Sequence, residues 1–407
     1  MRPAPLLLVL LLAWSLLGLP VAFGLWPRWS WAAAGAAIAV LALVDLLRLW
    51  RRPSPSIQRD MPEALALNVA RPVTLRLESS LRQRVEVFDL APGQWTLQGL
   101  PRRLTLKPMV ASSFQYTVTP TARGRFELDG VHLRVHAPWR LWWQRRTLPP
   151  ALSVRVYPNF APLTRFALFS AEQASRLVGA HLKRRRGEGT DFHQMREYQD
   201  EKNQQLMLMI DTGRRMMASE GGLSHFDHVL NASLVVSYLA LRQGDGVGLF
   251  ASGGDSRWVA PQRGMGAIDA LLRASYDLQA RPVATDYLAA ATELTLRQRR
   301  RSLVMLVTNV RDEDIEDLLA AVRLLQRQHL VCVASLRERE LDDALDQPVD
   351  TLQDATQAGA IARYLQQRSD AHEALRSHRV MVLDVTADAL PGALVERYLA
   401  VKRDGLL

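Results

Sequence analysis

Two apolar runs near the amino end limit what this chain can be. "PLLLVLLLAWSLLGLPVAFGLW" (Pro5 to Trp26) carries no charge, and the run from Trp29 to Leu47 is interrupted only by Asp45 near its end. Each is long enough to cross a hydrocarbon layer as a helix. Between them, "WPRWSW" sets Trp26, Trp29 and Trp31 around a proline and Arg28. Tryptophan favours the headgroup region and proline a turn, so residues 1–52 read as a transmembrane helical hairpin. A cleaved signal peptide is the competing reading, because Arg2 precedes the first run. Against it, "PVAFG" offers only Ala22 before Phe23 as a cleavage site, and the run is longer than a signal core. Arg48, Arg51 and Arg52 follow the second run, and positive flanks stay in the cytoplasm. The expectation is a multi-pass protein of the inner (cytoplasmic) membrane, with everything after residue 52 cytoplasmic and close to anionic lipid.

The remaining chain is too long for one ordinary core: 407 residues, 48% of them hydrophobic, predict two or three domains. The net charge of +10 needs a partner or a location. No nucleic-acid motif accompanies it and the aromatics lie mostly near the amino end, so nucleic acid is not the expected partner and membrane lipid is. Cys332, the single cysteine, excludes an intramolecular disulfide. In "LVCVASL" it reads as a small hydrophobe within a strand.

From residue 57 to 160 the pattern has period two. Val73, Leu75 and Leu77 alternate, then Val85 and Val87, Phe114, Tyr116 and Val118, Val131, Leu133 and Val135, and Leu152, Val154 and Val156. Short alternating strands between Pro/Gly turns predict an antiparallel, immunoglobulin-like β-sandwich. His132 and His136 share a strand face, but two histidines without a third ligand do not make a metal site.

Residues 161–203 form a basic linker, and strands alternate with helices from 204 to 407. "QQLMLMID" is a strand of the fully buried type ending on Asp211, followed by Gly213, Arg214 and Arg215. Ser224 and Asp227 are spaced as a capping box that starts a helix running to Gly244. "DGVGLFAS" and "SRWVAP" predict a strand pair, "RSLVMLVTN", "LVCVASL" and "RVMVLDV" further strands, Thr285 a helix cap, and Ala393 the start of the last helix. Asp312, Glu313 and Asp314 complement the amino end of a helix that carries Ile315, Leu318, Leu319, Val322 and Leu325. The alternation argues for a doubly wound, mainly parallel sheet, whose ligands lie at the carboxyl ends of its strands.

The order of these elements resembles a von Willebrand factor A-type domain. The whole chain resembles the bacterial domain-of-unknown-function 58 family: a membrane hairpin, a β domain, a Gly-Xaa-Gly-Xaa-(Asp/Glu)-Phe…Arg-Glu-Tyr motif and an A-type domain. Here the motif reads Gly187-Glu188-Gly189-Thr190-Asp191-Phe192, then Arg196-Glu197-Tyr198. The "RGRF" turn and "VYP" also match. The family's longer segment after Arg-Glu-Tyr is missing here, since "QDEKN" leads straight into the strand, and an internal deletion after Tyr198 accounts for the junction.

Metal-binding A-type domains hold Mg2+ with Asp-Xaa-Ser-Xaa-Ser, a distant threonine and a later aspartate. Asp211 matches the first position, but Gly213 and Arg215 stand where serines belong; Thr285 is the candidate threonine, and Asn309 replaces the later acid. The degenerate set Asp211, Thr285 and Asn309 predicts no metal and no other cofactor. Asp211 is expected to cap the turn that follows, and Arg214 and Arg215 to dock a carboxylate or phosphate of a partner. Lys183 to Arg186 read as a solvated linker, His225 and His228 as a surface helix start, and Arg297 to Arg301 as a helix end.

No nucleophile arrangement stands out, so the expected function is a non-enzymatic, membrane-anchored interaction protein. The resemblance implies a protein partner of the MoxR type of AAA ATPase and a role in assembly or envelope maturation. The alternative is a membrane-bound hydrolase or transferase using Asp191, Glu197 and Asp211, which requires paired acids with split pKa values.

Overall fold

The computed structural model describes residues 1–149, 151–159 and 204–406. The chain divides into two compact units, Met1–Tyr157 and Pro158–Leu407.

The first unit opens with a two-residue strand β1 (Arg2–Pro3), followed by helices α1 (Pro5–Leu16), α2 (Gly18–Ala22) and α3 (Arg28–Trp50). Pro5–Ala22 and Arg28–Trp50 are each long and apolar enough to cross a membrane. Trp14 and Trp31 stack with centroids 4.4 Å apart, and each indole N–H donates to the other residue's carbonyl at 3.1 Å. A Cβ on Gly35 would lie 2.7 Å from the Trp14 ring, and one on Gly18 would lie 3.2 Å from Trp31 Nε1. A Trp-Xaa-Xaa-Xaa-Gly pair on each arm therefore interlocks with its counterpart. Small residues admit close helix approach where no hydrophobic effect drives it.

The strands that follow are β2 (Ser56–Asp60), β3 (Ala64–Ala66), β4 (Arg71–Glu78), β5 (Gln83–Asp89), β6 (Thr96–Gln98), β7 (Arg102–Leu106), β8 (Ser112–Thr119), β9 (Gly124–Leu128), β10 (Val131–His136), β11 (Trp142–Leu148) and β12 (Leu152–Tyr157). They form sheets ordered β1-β11-β10-β5-β7, β2-β4-β8-β6 and β3-β12-β9. All pairs are antiparallel except β3 with β12. The alternating residues Val73, Leu75, Leu77, Val87 and Leu133 are fully buried, as period two requires. The buried Asp89 on β5 accepts hydrogen bonds from Arg59 on β2 and Tyr116 on β8, which ties the two larger sheets together. Arg2 pairs with Trp143 in the sheet, and Ala4 N donates to Leu141 O at 2.8 Å. Cleavage after Ala22 would strip β1 from its sheet.

The second unit contains β13 (Gln205–Asp211), a short 3-10 turn (Arg214–Met216), β14 (Ser219–Glu220), β15 (Leu223–Ser224), α4 (His225–Arg242), β16 (Gly246–Ser252) and β17 (Arg257–Gln262). These are followed by α5 (Gly266–Ser275), α6 (Tyr287–Arg297), β18 (Leu303–Thr308), α7 (Ile315–Gln326), β19 (Leu330–Arg337), α8 (Arg339–Leu345), α9 (Leu352–Ser377), β20 (Met381–Thr386) and α10 (Leu390–Arg403). One six-stranded sheet, ordered β17-β16-β13-β18-β19-β20, is parallel except at its β16–β17 edge. Its two faces have separate cores. Leu206, Leu208 and Ile210 pack with Leu230 of α4, Leu271 of α5 and Tyr398 of α10. Met207 and Met209 pack with Leu294 of α6, Val322 of α7 and Leu375 of α9. A strand buried on both faces is continuously apolar, which is why β13 shows no alternation.

Several sequence expectations need correction. Asp286, not Thr285, caps α6 by accepting from Ala289 N at 2.7 Å. The last helix starts at Leu390, three residues before Ala393, with Pro391 in its first turn. Asp312–Asp314 form a 3-10 turn ahead of α7 instead of its first turn. His225 is buried, not part of a surface helix start. The sequence pattern also missed α8 and α9. Thr351 and Asp354 close a capping box at the start of α9, whose buried residues are confined to Arg368, Ala371, His372 and Leu375.

Candidate functional site

Asp211 ends the central strand β13 at the carboxyl edge of the sheet and is 1% exposed. Its Oδ1 accepts from Gly213 N at 2.7 Å and from Thr285 Oγ1 at 2.5 Å. Its Oδ2 accepts from Thr308 Oγ1 at 2.6 Å and from the Tyr287 hydroxyl at 3.0 Å. The hydrogen bond from Gly213 N is the turn cap expected of this residue. The other three donors come from α6, the segment before it, and the end of β18, so one carboxylate fastens three elements. Burial, with the Asp211 charge beside it, pushes the Tyr287 phenol far above its ordinary value, so that hydroxyl remains a donor.

This arrangement does not fit Mg2+, which demands open octahedral oxygen coordination. Four donors already take up the carboxylate. A Cβ on Gly213 would overlap the Thr285 hydroxyl and sit 2.9 Å from Val283 O, while one on Gly253 would be 2.5 Å from Thr285 Oγ1. The space a serine at 213 would need is filled. Asn309 faces elsewhere: its Nδ2 donates to Glu338 Oε1 at 2.9 Å and its Oδ1 accepts from Arg368 Nη1 at 2.7 Å. Thr308, not Asn309, meets Asp211, because successive residues at a strand end point to opposite sides. Among the described residues, no three His, Cys, Asp or Glu side chains converge as a metal site.

Arg215, expected to dock a partner, is paired within its own chain. Its Nε donates to Asp314 Oδ2 and its Nη2 to Glu313 Oε2, both at 2.8 Å. The Arg215 guanidinium in turn holds the Glu313 carboxyl below the usual carboxylate range. Arg214 is half exposed and reaches Glu313 only at 3.7 Å. Arg214, Arg215, Ala218, Arg311, Glu313 and Glu338 line an open cleft of about 330 Å³. Arg311 bonds Glu338 at 3.0 Å and lies 4.3 Å from the Tyr364 ring centre. The cleft is charged with both signs, and among the described residues that line it no nucleophile stands beside a base.

Behind the cleft, Arg368 is buried and saturated. It donates to Asp384 Oδ1, Asn309 Oδ1, Ser335 Oγ and the carbonyls of Val310 and Leu336. It thereby ties α9 to the carboxyl ends of β18, β19 and β20. Arg368 and Tyr287 escaped sequence reasoning, and neither lies in a local motif that announces the role. Cys332 is fully buried in β19, and burial pushes its thiol up to about 12, as befits a core residue. The motif residues Gly187, Gly189, Asp191, Phe192, Arg196, Glu197 and Tyr198, the basic run Lys183–Arg186 and the junction after Tyr198 lie outside the described residues.

Residues 189–380 match the family described as "Protein of unknown function DUF58". No curated protein matches the chain. Among solved structures, an aerotolerance-related membrane protein from Bacteroides fragilis is similar at 16% identity over 48% of this chain and 98% of its own, with a TM-score of 0.29. An alpha-2-macroglobulin from Escherichia coli is similar at 18% identity over 26% of this chain, with a TM-score of 0.21; the chain spans only 17% of that protein. The CARDB domain of the PF1109 protein from Pyrococcus furiosus is similar at 13% identity over 26% of this chain and 90% of its own, with a TM-score of 0.18.

Proposed function

We propose that this chain, a member of the DUF58 family through residues 189–380, is a membrane-anchored, non-catalytic interaction protein whose second unit is a von Willebrand factor A-like domain. The observation that carries this reading is the closure of Asp211. The carboxylate that ends β13 at the ligand edge of the sheet is saturated by four donors from its own chain. It neither holds a metal nor acts as a base, so what the edge offers a partner is the mixed-charge cleft beside it. Arg214 is the cation there with the weakest internal pairing. The apolar helices support membrane anchoring, and the basic flank Arg48, Arg51 and Arg52 supports a cytoplasmic second unit in the inner membrane. The immunoglobulin-like reading of the β unit suits a binding or spacer module. The partner is a MoxR-type AAA ATPase, a choice that rests on the family resemblance alone.

Affinity capture of the full chain from native membranes tests this. Wild type is expected to retain a MoxR-type ATPase, and Arg214→Glu to lose most of it while the protein still folds. Recovery of no such ATPase with either form would sink the specific partner, and equal recovery with both would remove the cleft from the interface.

A further inference from the structure

The second apolar helix carries an acid whose partners come from the β unit. Asp45 is fully buried. Its Oδ1 accepts from Trp139 N and its Oδ2 from Leu141 N, both at 3.0 Å. Trp142 donates its indole N–H to Ala42 O at 2.9 Å, and Arg146 donates to Arg52 O at 2.8 Å and Leu49 O at 3.3 Å. These bonds set a register between β11 and the end of α3. Trp142 is level with Ala42, the β10–β11 turn with Asp45, and Arg146 with the last turn of the helix.

We infer that the turn between β10 and β11, with the head of β11, is seated in the lipid headgroup layer, where Arg140 and Arg51 take the phosphate of anionic lipid. The inference rests on the reading that the α1–α3 hairpin spans a membrane. Helical rise decides the depth. From Trp29, at the tip of the hairpin, to Asp45 is roughly 24 Å at ~1.5 Å per residue. A hydrocarbon core is about 30 Å thick, so little of it remains beyond Asp45. The residues bonded to Asp45 therefore lie at the boundary and not above it.

The side chains there have the chemistry of that boundary. Trp50 and Trp139 are exposed, and Trp142 and Trp143 are half-buried. The Arg48 guanidinium lies 4.6 Å from the centre of the Trp139 ring and Arg2 5.7 Å from that of Trp143. Arg51 and Arg140 are exposed and make no ion pair among the described residues, and Arg140 occupies the turn with a φ of 61°. Tryptophans with unpaired arginines beside a span are what a headgroup layer accommodates, and a guanidinium fork matches a phosphate. The other end of the hairpin agrees, because β1, just ahead of the first helix, pairs with the same β11.

The test uses the full chain with Cys332→Ala in vesicles, carrying one nitroxide at Pro138→Cys, Leu41→Cys or Asp129→Cys. Collision rates with oxygen and with a water-soluble nickel chelate report depth. The expected result is headgroup depth at 138, hydrocarbon depth at 41 and full water exposure at 129, beyond the opposite end of β10. Adding phosphatidylglycerol to phosphatidylcholine is expected to slow the label at 138, and Arg140→Glu to cancel the slowing. A label at 138 as water-exposed as that at 129, with 41 in hydrocarbon, overturns the inference and leaves the membrane reading standing. Water exposure at 41 overturns the membrane reading itself. Headgroup depth at 138 with no response to phosphatidylglycerol overturns the assignment of an anionic ligand.

Discussion

At the scale of single residues, the closure of the sheet edge turns on Gly213. A side chain there must displace the Thr285 hydroxyl that bonds Asp211. Gly213→Ser restores the residue type a Mg2+ site uses, yet it is expected to overpack the edge and destabilise the second unit by about 1–3 kcal/mol. Thermal unfolding with and without magnesium chloride checks both parts: the midpoint falls, and the cation does not raise it. A magnesium-dependent rise would show that Thr285 yields and that the site reopens. Asp211 itself was legible in the sequence because a short, wholly apolar run bounded by an acid and a glycine fits a buried strand and its end. Its partners were not. Tyr287 is 76 positions away, and Arg368 is 59 from the Asn309 it binds, so no local spacing reports either contact. Asn309 entered the candidate set because it stands where the A-type resemblance implies a later acid, whereas strand alternation brings Thr308 to Asp211.

Among the elements, β4, β5, β8, β10, β12, the strands of the six-stranded sheet and the capped helix α4 were legible because period and capping are local properties, whereas β2, β3, β6, β7 and β11 were not. Helix α9 was not, because only one patch near its carboxyl end is buried, and that patch includes an arginine. An amphipathic stripe is a record of burial, and a helix docked by so few residues leaves a faint one. The two apolar helices were legible as runs, but the way they meet became visible only in the fold. Trp14 lies against Gly35, and Trp31 against Gly18. Gly35→Leu is expected to part the two helices and lose the stack of Trp14 on Trp31, lowering the unfolding midpoint of the full chain in detergent. Ala33→Leu, at an exposed position of the same helix, is the control that introduces the same side chain. Equal midpoints for the two variants would mean that the interlock contributes nothing.

For the whole molecule, the buried histidines of the second unit set how it responds to acid. His225, His329 and His372 are all at least nine-tenths buried, and burial lowers each below the ordinary histidine value. His372 falls furthest, to about 4, although the Asp384 carboxylate pulls it up; Arg368, Arg376 and Arg337 push with the desolvation. A histidine that is neutral when folded and takes up a proton on unfolding favours the unfolded chain as soon as the medium can supply that proton. Its contribution is therefore intact above the unfolded value of 6.5 and is lost progressively as pH falls from there to about 4. Denaturant midpoints of the full chain in detergent, measured between about pH 7.5 and about pH 4.5, are expected to fall across that window. His372→Gln cannot take up the proton, so its midpoint is expected to fall less steeply, even if it starts lower from the loss of packing. The slope separates titration from packing: parallel slopes for the two proteins would remove His372 from the acid response. If the slopes differ, the proton that His372 takes up on unfolding accounts for part of the acid response.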